Sequence, residues 1–144
     1  MQFDLDNIKK WTRLKIWNAA FTLISQRPLL GYGAATFSLF YISKYSFGHL
    51  HNMPLQLAFD YGIPLAILLC GFVTVLIIKS WFVIMHKTNN NTSEIINKSW
   101  LTASIVTTLS HLNDISYYDG KISILIWILF AGLVCINDEK QYKY

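Results

Sequence analysis

The pair His51-Asn52 lies just before a strongly apolar part of the chain, in the stretch HLHNMPLQLAFDYGIP. A neutral imidazole is well suited to take a proton from a hydroxyl group near neutral pH, so His51 is a candidate general base. Asn52 is a favoured residue before the first turn of a helix, where Pro54 is tolerated. A helix N-terminus attracts anions and disfavours imidazolium, which would keep His51 available as a base. The plainer interpretation is that the pair only caps a helix.

The sequence does not favour a metal site at the histidines. His49, His51 and His111 could together hold a metal, but no carboxylate or thiolate accompanies them at ligand spacing. Cys70 and Cys135 each lie inside an apolar run, so neither a disulfide framework nor a redox motif is predicted.

Apolar helices must position these residues. Of the 144 residues, 53% are hydrophobic and only 14% are charged, whereas soluble domains have about 25% charged residues. The run over residues 63–85 holds one charge, Lys79, and has the roughly 20 residues that a helix needs to cross a bilayer. Two shorter runs, 100–115 and 122–136, are predicted as further spans, with a re-entrant pair or buried helices as the alternatives. We predict an all-α integral membrane fold with about three transmembrane helices.

An amphipathic helix is predicted over residues 8–24. Basic residues lie between its apolar positions, as in a helix at a membrane surface. Arg27-Pro28 ends the pattern, because a residue before proline is pushed out of the α region, and Gly31-Tyr-Gly33 supplies a turn. The apolar positions are Ile8, Trp11, Leu14, Trp17, Phe21 and Ile24.

These elements divide the chain into an outward-facing loop segment, residues 1–50, and a transmembrane region, residues 51–144. A polar run within residues 86–98 is predicted as a loop. Lysines close to the span ends place this loop and the C-terminal tail in the cytoplasm, because short basic flanks stay inside. His51 then lies on the outer face.

Several polar residues border the apolar runs. Asp60 comes four residues after Gln56, so the two share a helix face. A carboxylate near a membrane is costly and often functional, which makes Asp60 a candidate binding residue; the alternative is a pair with Gln56. His111, Asp114 and Asp119 follow the second run on the side predicted for His51, either as interfacial residues or as part of its site.

The formal charge of +4 and the pI of about 9.1 do not indicate a nucleic-acid partner. The basic residues are scattered around the apolar runs, and no aromatic-basic recognition motif is present.

The combination of Arg13 with Trp17, the segment RPLLGYG over residues 27–33, His51-Asn52 and Gly62 resembles the C-terminal part of the O-antigen ligase and O-antigen polymerase superfamily. In the ligases of that family two glycines follow the His-Asn pair; Gly62 matches the first, and Leu65 stands in place of the second. The family's other spans have no counterpart here, so we expect a fragment of a larger multi-span protein.

The resemblance implies a membrane glycosyltransferase of the bacterial inner membrane, with its active site on the periplasmic face. It would transfer a glycan from undecaprenyl pyrophosphate to an acceptor hydroxyl without a metal or another cofactor. The acceptor would be the lipid A core of lipopolysaccharide, a glycan repeat, or a pilin-like protein. His51 would be the general base, and Asn52 and Asp60 would bind substrate. The alternative from another class is a non-catalytic membrane subunit or pseudoenzyme fragment.

Arg13 and Arg27 are the candidates for binding the leaving pyrophosphate, since a guanidinium binds phosphate through two hydrogen bonds. Fourteen residues separate them. At about 1.5 Å per residue, one straight helix would hold them about 21 Å apart, too far for both to bind one pyrophosphate. We favour Arg13, whose spacing to Trp17 resembles the family; the alternative is that both side chains reach lipid headgroups.

Overall fold

A computed structural model describes residues 5–41, 49–85, 92–114 and 118–141, and the side chains of residues 13–41, 49–85, 92–114 and 118–138. Every regular element within these ranges is a helix, so the predicted all-α fold is confirmed for this part of the chain. The helices are α1 (Leu5–Gln26), α2 (Phe37–Phe40), α3 (Met53–Tyr61), α4 (Ile63–Met85), α5 (Thr92–Ser110) and α6 (Gly120–Gln141). They fall into two compact units, the first within residues 1–68 and 112–115 and the second within 69–111 and 116–144.

Two of these helices are candidate membrane spans. By length and composition, α4 and residues Gly120–Asp138 of α6 could each cross a membrane. The helix predicted over 100–115 is instead α5, which begins at Thr92, ends at Ser110 and does not meet the same criteria. The structure therefore supports two of the three predicted spans.

Part of the polar run predicted as a loop is helical. The first turn of α5 contains Glu94, whose charge suits a helix N-terminus. The hydroxyls of Ser99 and Thr102 donate to the carbonyls of Ile95 and Lys98, four residues earlier, so they are satisfied within the helix. Composition alone did not show this local pairing. The rest of the predicted loop, residues 86–91, lies outside the described residues.

In the first unit, α1 packs against α3. The buried stripe of α1 is Ile16, Ala20 and Ile24, and the small Ala20 at its centre permits close approach of a neighbouring helix. Leu14 and Phe21 of the predicted apolar face are 46% and 59% exposed. The predicted helix is present, and the stripe that it buries within the protein ends at Ile24 and leaves Leu14 and Phe21 outside. Its position at a membrane surface stays a prediction.

The second unit has an apolar core, and hydrogen bonds of a few polar side chains join its helices. The indole Nε1 of Trp100 donates to the carbonyl of Leu129 at 2.8 Å, and its ring fills the space beside Gly132, where a Cβ would collide with it. The amide of Asn137 donates to the hydroxyl of Ser80 at 3.0 Å. The core consists of Val73, Leu76, Ile84, Leu101, Phe130 and Leu133.

Candidate functional site

Helix α3 begins at the His51-Asn52 pair. Asn52 is its N-cap, with an extended backbone and a side-chain Oδ1 that accepts from the backbone N–H of Leu55 at 3.0 Å. Pro54 occupies the first turn, where a missing N–H costs no helical hydrogen bond. The predicted cap is confirmed. His51 does not directly precede the long apolar helix, however, because the nine-residue helix α3 lies between them.

A turn over residues 27–33 closes the C-terminal end of α3. Its backbone N–H groups donate to carbonyls that have no partner at the end of a helix. One of them is the carbonyl of Asp60, which would normally accept from residue 64, but Pro64 has no N–H. The predicted turn is confirmed, and it lies at the end of α3 opposite His51. The backbone hydrogen bonds that join the turn to this end are Tyr32 N–H to Phe59 O (2.8 Å), Gly33 N–H to Asp60 O (2.9 Å) and Ile63 N–H to Pro28 O (2.8 Å).

Two glycines permit this close approach. Gly31 has φ +66°, and a Cβ there would lie 2.5 Å from the carbonyl oxygen of Phe59. Gly62 has φ +91°, and a Cβ there would collide with the carbonyl of Leu29. Both residues also need a left-handed backbone that favours glycine. These two motif residues therefore shape the fold around α3 instead of contacting His51.

Leu50 fixes the backbone immediately before His51. Its N–H donates to Oε1 of Gln56 at 3.0 Å, and its carbonyl accepts from the indole N–H of Trp17 at 2.9 Å. Its side chain is 1% exposed. Trp17 on α1 and Gln56 on α3 thus hold the same peptide segment from two helices. The sequence identified both residues but not this function.

His51 lies at the centre of a small polar cluster. Its backbone is left-handed, with φ +50°, a conformation in which histidine is enriched among non-glycine residues. Its Nδ1 lies 3.4 Å from Oδ1 of Asp114, and the His51 and Asp114 side chains are 24% and 65% exposed. The ring of His49 lies 4.3 Å from that of His51, centroid to centroid. The imidazole is therefore partly exposed and lies against both His49 and Asp114.

Burial lowers the pKa of His49 from its usual value, and the neighbouring His51 lowers it further, while Asp114 partly offsets both effects. His49 is therefore neutral at neutral pH. It places no positive charge beside His51 under those conditions.

His49, His51 and Asp114 each offer one ligand atom, and these atoms lie within 4.8 Å of one another, so the three residues could hold a metal ion. The sequence argument against a metal site relied on the lack of a nearby carboxylate. The fold brings Asp114 to the histidines from a distant part of the chain, so that argument is wrong. The ligand set would also differ from the one considered, since Asp114 takes the place of His111.

Asp60 is buried inside the first unit, with 1% exposure. Its Oδ1 accepts from the side-chain amide of Gln56 at 2.8 Å, as the four-residue spacing predicts. The same Gln56 holds Leu50, so Asp60 supports the segment that carries His51. Substrate binding by Asp60 stays a prediction, because this structure does not present its carboxylate to solvent.

The two arginines lie at different ends of α3. Arg13 is exposed one turn before Trp17, whose indole contacts the peptide next to His51. Arg27 lies in the turn at the opposite end, 5.0 Å from the ring centroid of Tyr32. The nine residues of α3 span about 14 Å, so Arg27 is separated from the His51 end of that helix, whereas Arg13 is one turn of α1 from a residue that contacts this end.

Asn52 joins the start of α3 to the segment that carries Asp114. While its Oδ1 caps the helix, its Nδ2 donates to the carbonyl of Leu112 at 3.0 Å. Asn52→Asp keeps a good cap but faces that carbonyl with a second oxygen, so it should release the segment while the helix start remains intact. Asn52→Ala should lose both contacts, and losing the cap should cost about 1 kcal/mol.

Thermal unfolding in detergent checks this prediction. Unfolding close to that of the unsubstituted protein for Asn52→Asp, and a lower unfolding temperature for Asn52→Ala, are expected. Equal destabilisation by both substitutions would show that the cap made by Oδ1 and the contact made by Nδ2 do not act separately.

The model of the O-antigen ligase family matches residues 3–70. No curated protein and no solved structure matches the chain. The matched segment contains α1, the turn over residues 27–33, α3 and His51, while Asp114 lies beyond it. Three family-like residues thus have a structural role at the ends of α3. Trp17 contacts the backbone before its start, and Gly31 and Gly62 permit the close approach of the turn at its end. Residues 3–70 of this chain are therefore similar to the O-antigen ligase family, over a little less than half of its length.

Proposed function

We propose that this chain forms part of a membrane glycosyltransferase that transfers a glycan from undecaprenyl pyrophosphate to an acceptor hydroxyl. The observation that carries the proposal is the position of His51. Within the family-matched segment, its imidazole stands at the start of α3, partly exposed and held in place by the contacts of Leu50 and Asn52.

In the proposed step the acceptor oxygen attacks the anomeric carbon of the donor glycan. The bond from that carbon to the pyrophosphate oxygen breaks, and its electron pair leaves with undecaprenyl pyrophosphate. His51 takes the acceptor proton through Nε2, since Nδ1 faces Asp114. The donor is already activated by its pyrophosphate, so the step needs no nucleotide or redox cofactor.

Arg13 would bind the leaving pyrophosphate. It is exposed on α1, one turn from the tryptophan that contacts the backbone before His51. Its guanidinium can donate two parallel hydrogen bonds to phosphate oxygens and so stabilise the charge that develops as the bond breaks. The backbone N–H groups at the start of α3 offer further favourable contacts to an anion.

The membrane would hold both the donor and the enzyme. The two candidate spans, α4 and α6, suit a protein of the bacterial inner membrane. Since the donor's lipid tail must stay in the bilayer, the site should lie close to the membrane boundary. We place it on the periplasmic face, in keeping with the lysine distribution around the apolar runs.

The reaction can be tested by expressing the complete reading frame that contains this chain in a bacterial strain that lacks its own O-antigen ligase. We expect glycan to appear on lipid A core, on longer glycan polymers, or on a pilin-like protein, as read by gel mobility and mass spectrometry. The matched control is the same frame with His51→Ala. If the two strains have identical glycan profiles, the non-catalytic subunit becomes the better interpretation.

A further inference from the structure

We propose that Asp114 is a positioning residue for His51 that accepts a hydrogen bond from its Nδ1–H and thereby directs the unprotonated Nε2 toward the acceptor hydroxyl. This inference rests on the proposed function. Asp114 lies outside the family-matched segment, so the match does not point to it.

The first support is the geometry of the pair. The 3.4 Å between Nδ1 of His51 and Oδ1 of Asp114 is an ion-pair distance, slightly longer than a good hydrogen bond. Catalytic hydrogen bonds are often long before substrate binds and shorten in the reacting complex. A neutral imidazole carries its proton on one nitrogen only, so a carboxylate beside Nδ1 selects the tautomer whose Nε2 can accept a proton.

The second support is that the fold holds the Asp114 segment in place. The side-chain amide of Asn52 donates to the carbonyl of Leu112, two residues before Asp114. The same side chain caps α3, directly after His51. One residue thus couples the backbone that carries the imidazole to the backbone that carries the carboxylate.

The third support is the charge around the ring. His49 and Asp114 both face His51, and of these two neighbours only Asp114 is an acid. The carboxylate therefore lies beside the ring on which positive charge develops as His51 takes the acceptor proton. It would stabilise the charge of the transition state as well as orient the ring.

The test is Asp114→Asn in the full-length enzyme, assayed with a purified lipid-linked glycan donor. The amide keeps the size of the side chain but removes its charge. We expect kcat to fall about 10-fold, a part of the total that general-base catalysis contributes, with an unchanged KM for the donor. Asn113→Ala, at the exposed neighbour in the same segment, should change neither quantity.

A double substitution separates this inference from the proposed function. In a His51→Ala background, Asp114→Asn should have no further effect if Asp114 acts only through the imidazole. If His51→Ala lowers transfer but Asp114→Asn leaves kcat unchanged, the inference is wrong and the proposed function stands. If neither substitution changes transfer, the proposed function itself is wrong.

The same residues could bind a metal, and one experiment decides between the two roles. Adding a chelator should leave the rate of the unsubstituted enzyme unchanged, and added Zn²⁺ should not raise it. Loss of activity with chelator and recovery with Zn²⁺ would assign His49, His51 and Asp114 to a metal ion and overturn the positioning role.

Discussion

Replacing His51 by alanine in the full-length enzyme is expected to lower glycan transfer by about 10²–10⁴-fold, the usual contribution of a general base. The reason is that the imidazole is partly exposed and that the contacts of Leu50 fix the backbone directly before it. The measurement is the initial rate of transfer from a lipid-linked donor in membranes, normalised to the amount of protein.

Two control variants separate the chemistry of His51 from its backbone. His51→Asn should be as inactive as His51→Ala, although asparagine tolerates the left-handed conformation at φ +50° and so relieves strain. His49→Ala removes the neighbouring neutral ring and should cost much less. An alanine variant at position 51 that transfers glycan at the normal rate would leave His51-Asn52 as a helix cap only.

Arg13→Lys should lower transfer by about 10–100-fold, although it preserves the positive charge. Lysine is a point charge and cannot reproduce the planar, two-pronged hydrogen bonding of a guanidinium to phosphate. Because Arg13 is exposed and contributes no buried packing, the amount of protein in the membrane should not change. The rate with saturating acceptor and varied donor is the appropriate measurement.

The matched control is Arg27→Lys. Arg27 lies against the ring of Tyr32 at the far end of α3, where its contact is with the turn and not with the His51 cluster. Its substitution should be milder. If both lysine variants are equally active, Arg13 has no special role in binding the pyrophosphate.

The sequence by itself determined the features that depend on neighbours within about one helical turn. The apolar run 63–85 became α4 with those bounds, since twenty or more consecutive apolar residues leave few alternatives to a long helix. Asn52 caps α3, and Gln56 pairs with Asp60, because both contacts follow from fixed spacing along a helix. Helix length predicted that Arg13 and Arg27 cannot both bind one pyrophosphate, whereas the choice of Arg13 rested on its family-like spacing to Trp17 and stays a prediction.

Only the tertiary structure decided which distant residues meet. Trp17 contacts the carbonyl of Leu50 across 33 residues of sequence, and the buried stripe of α1 follows from where α3 docks. Gly62 lies between α3 and α4, and a glycine is required there because a Cβ would collide with the carbonyl of Leu29. Asp114 reaches His51 through a turn far along the chain. No local pattern encodes such contacts, since they arise from the packing of whole helices, and the chemistry proposed for His51 depends on them.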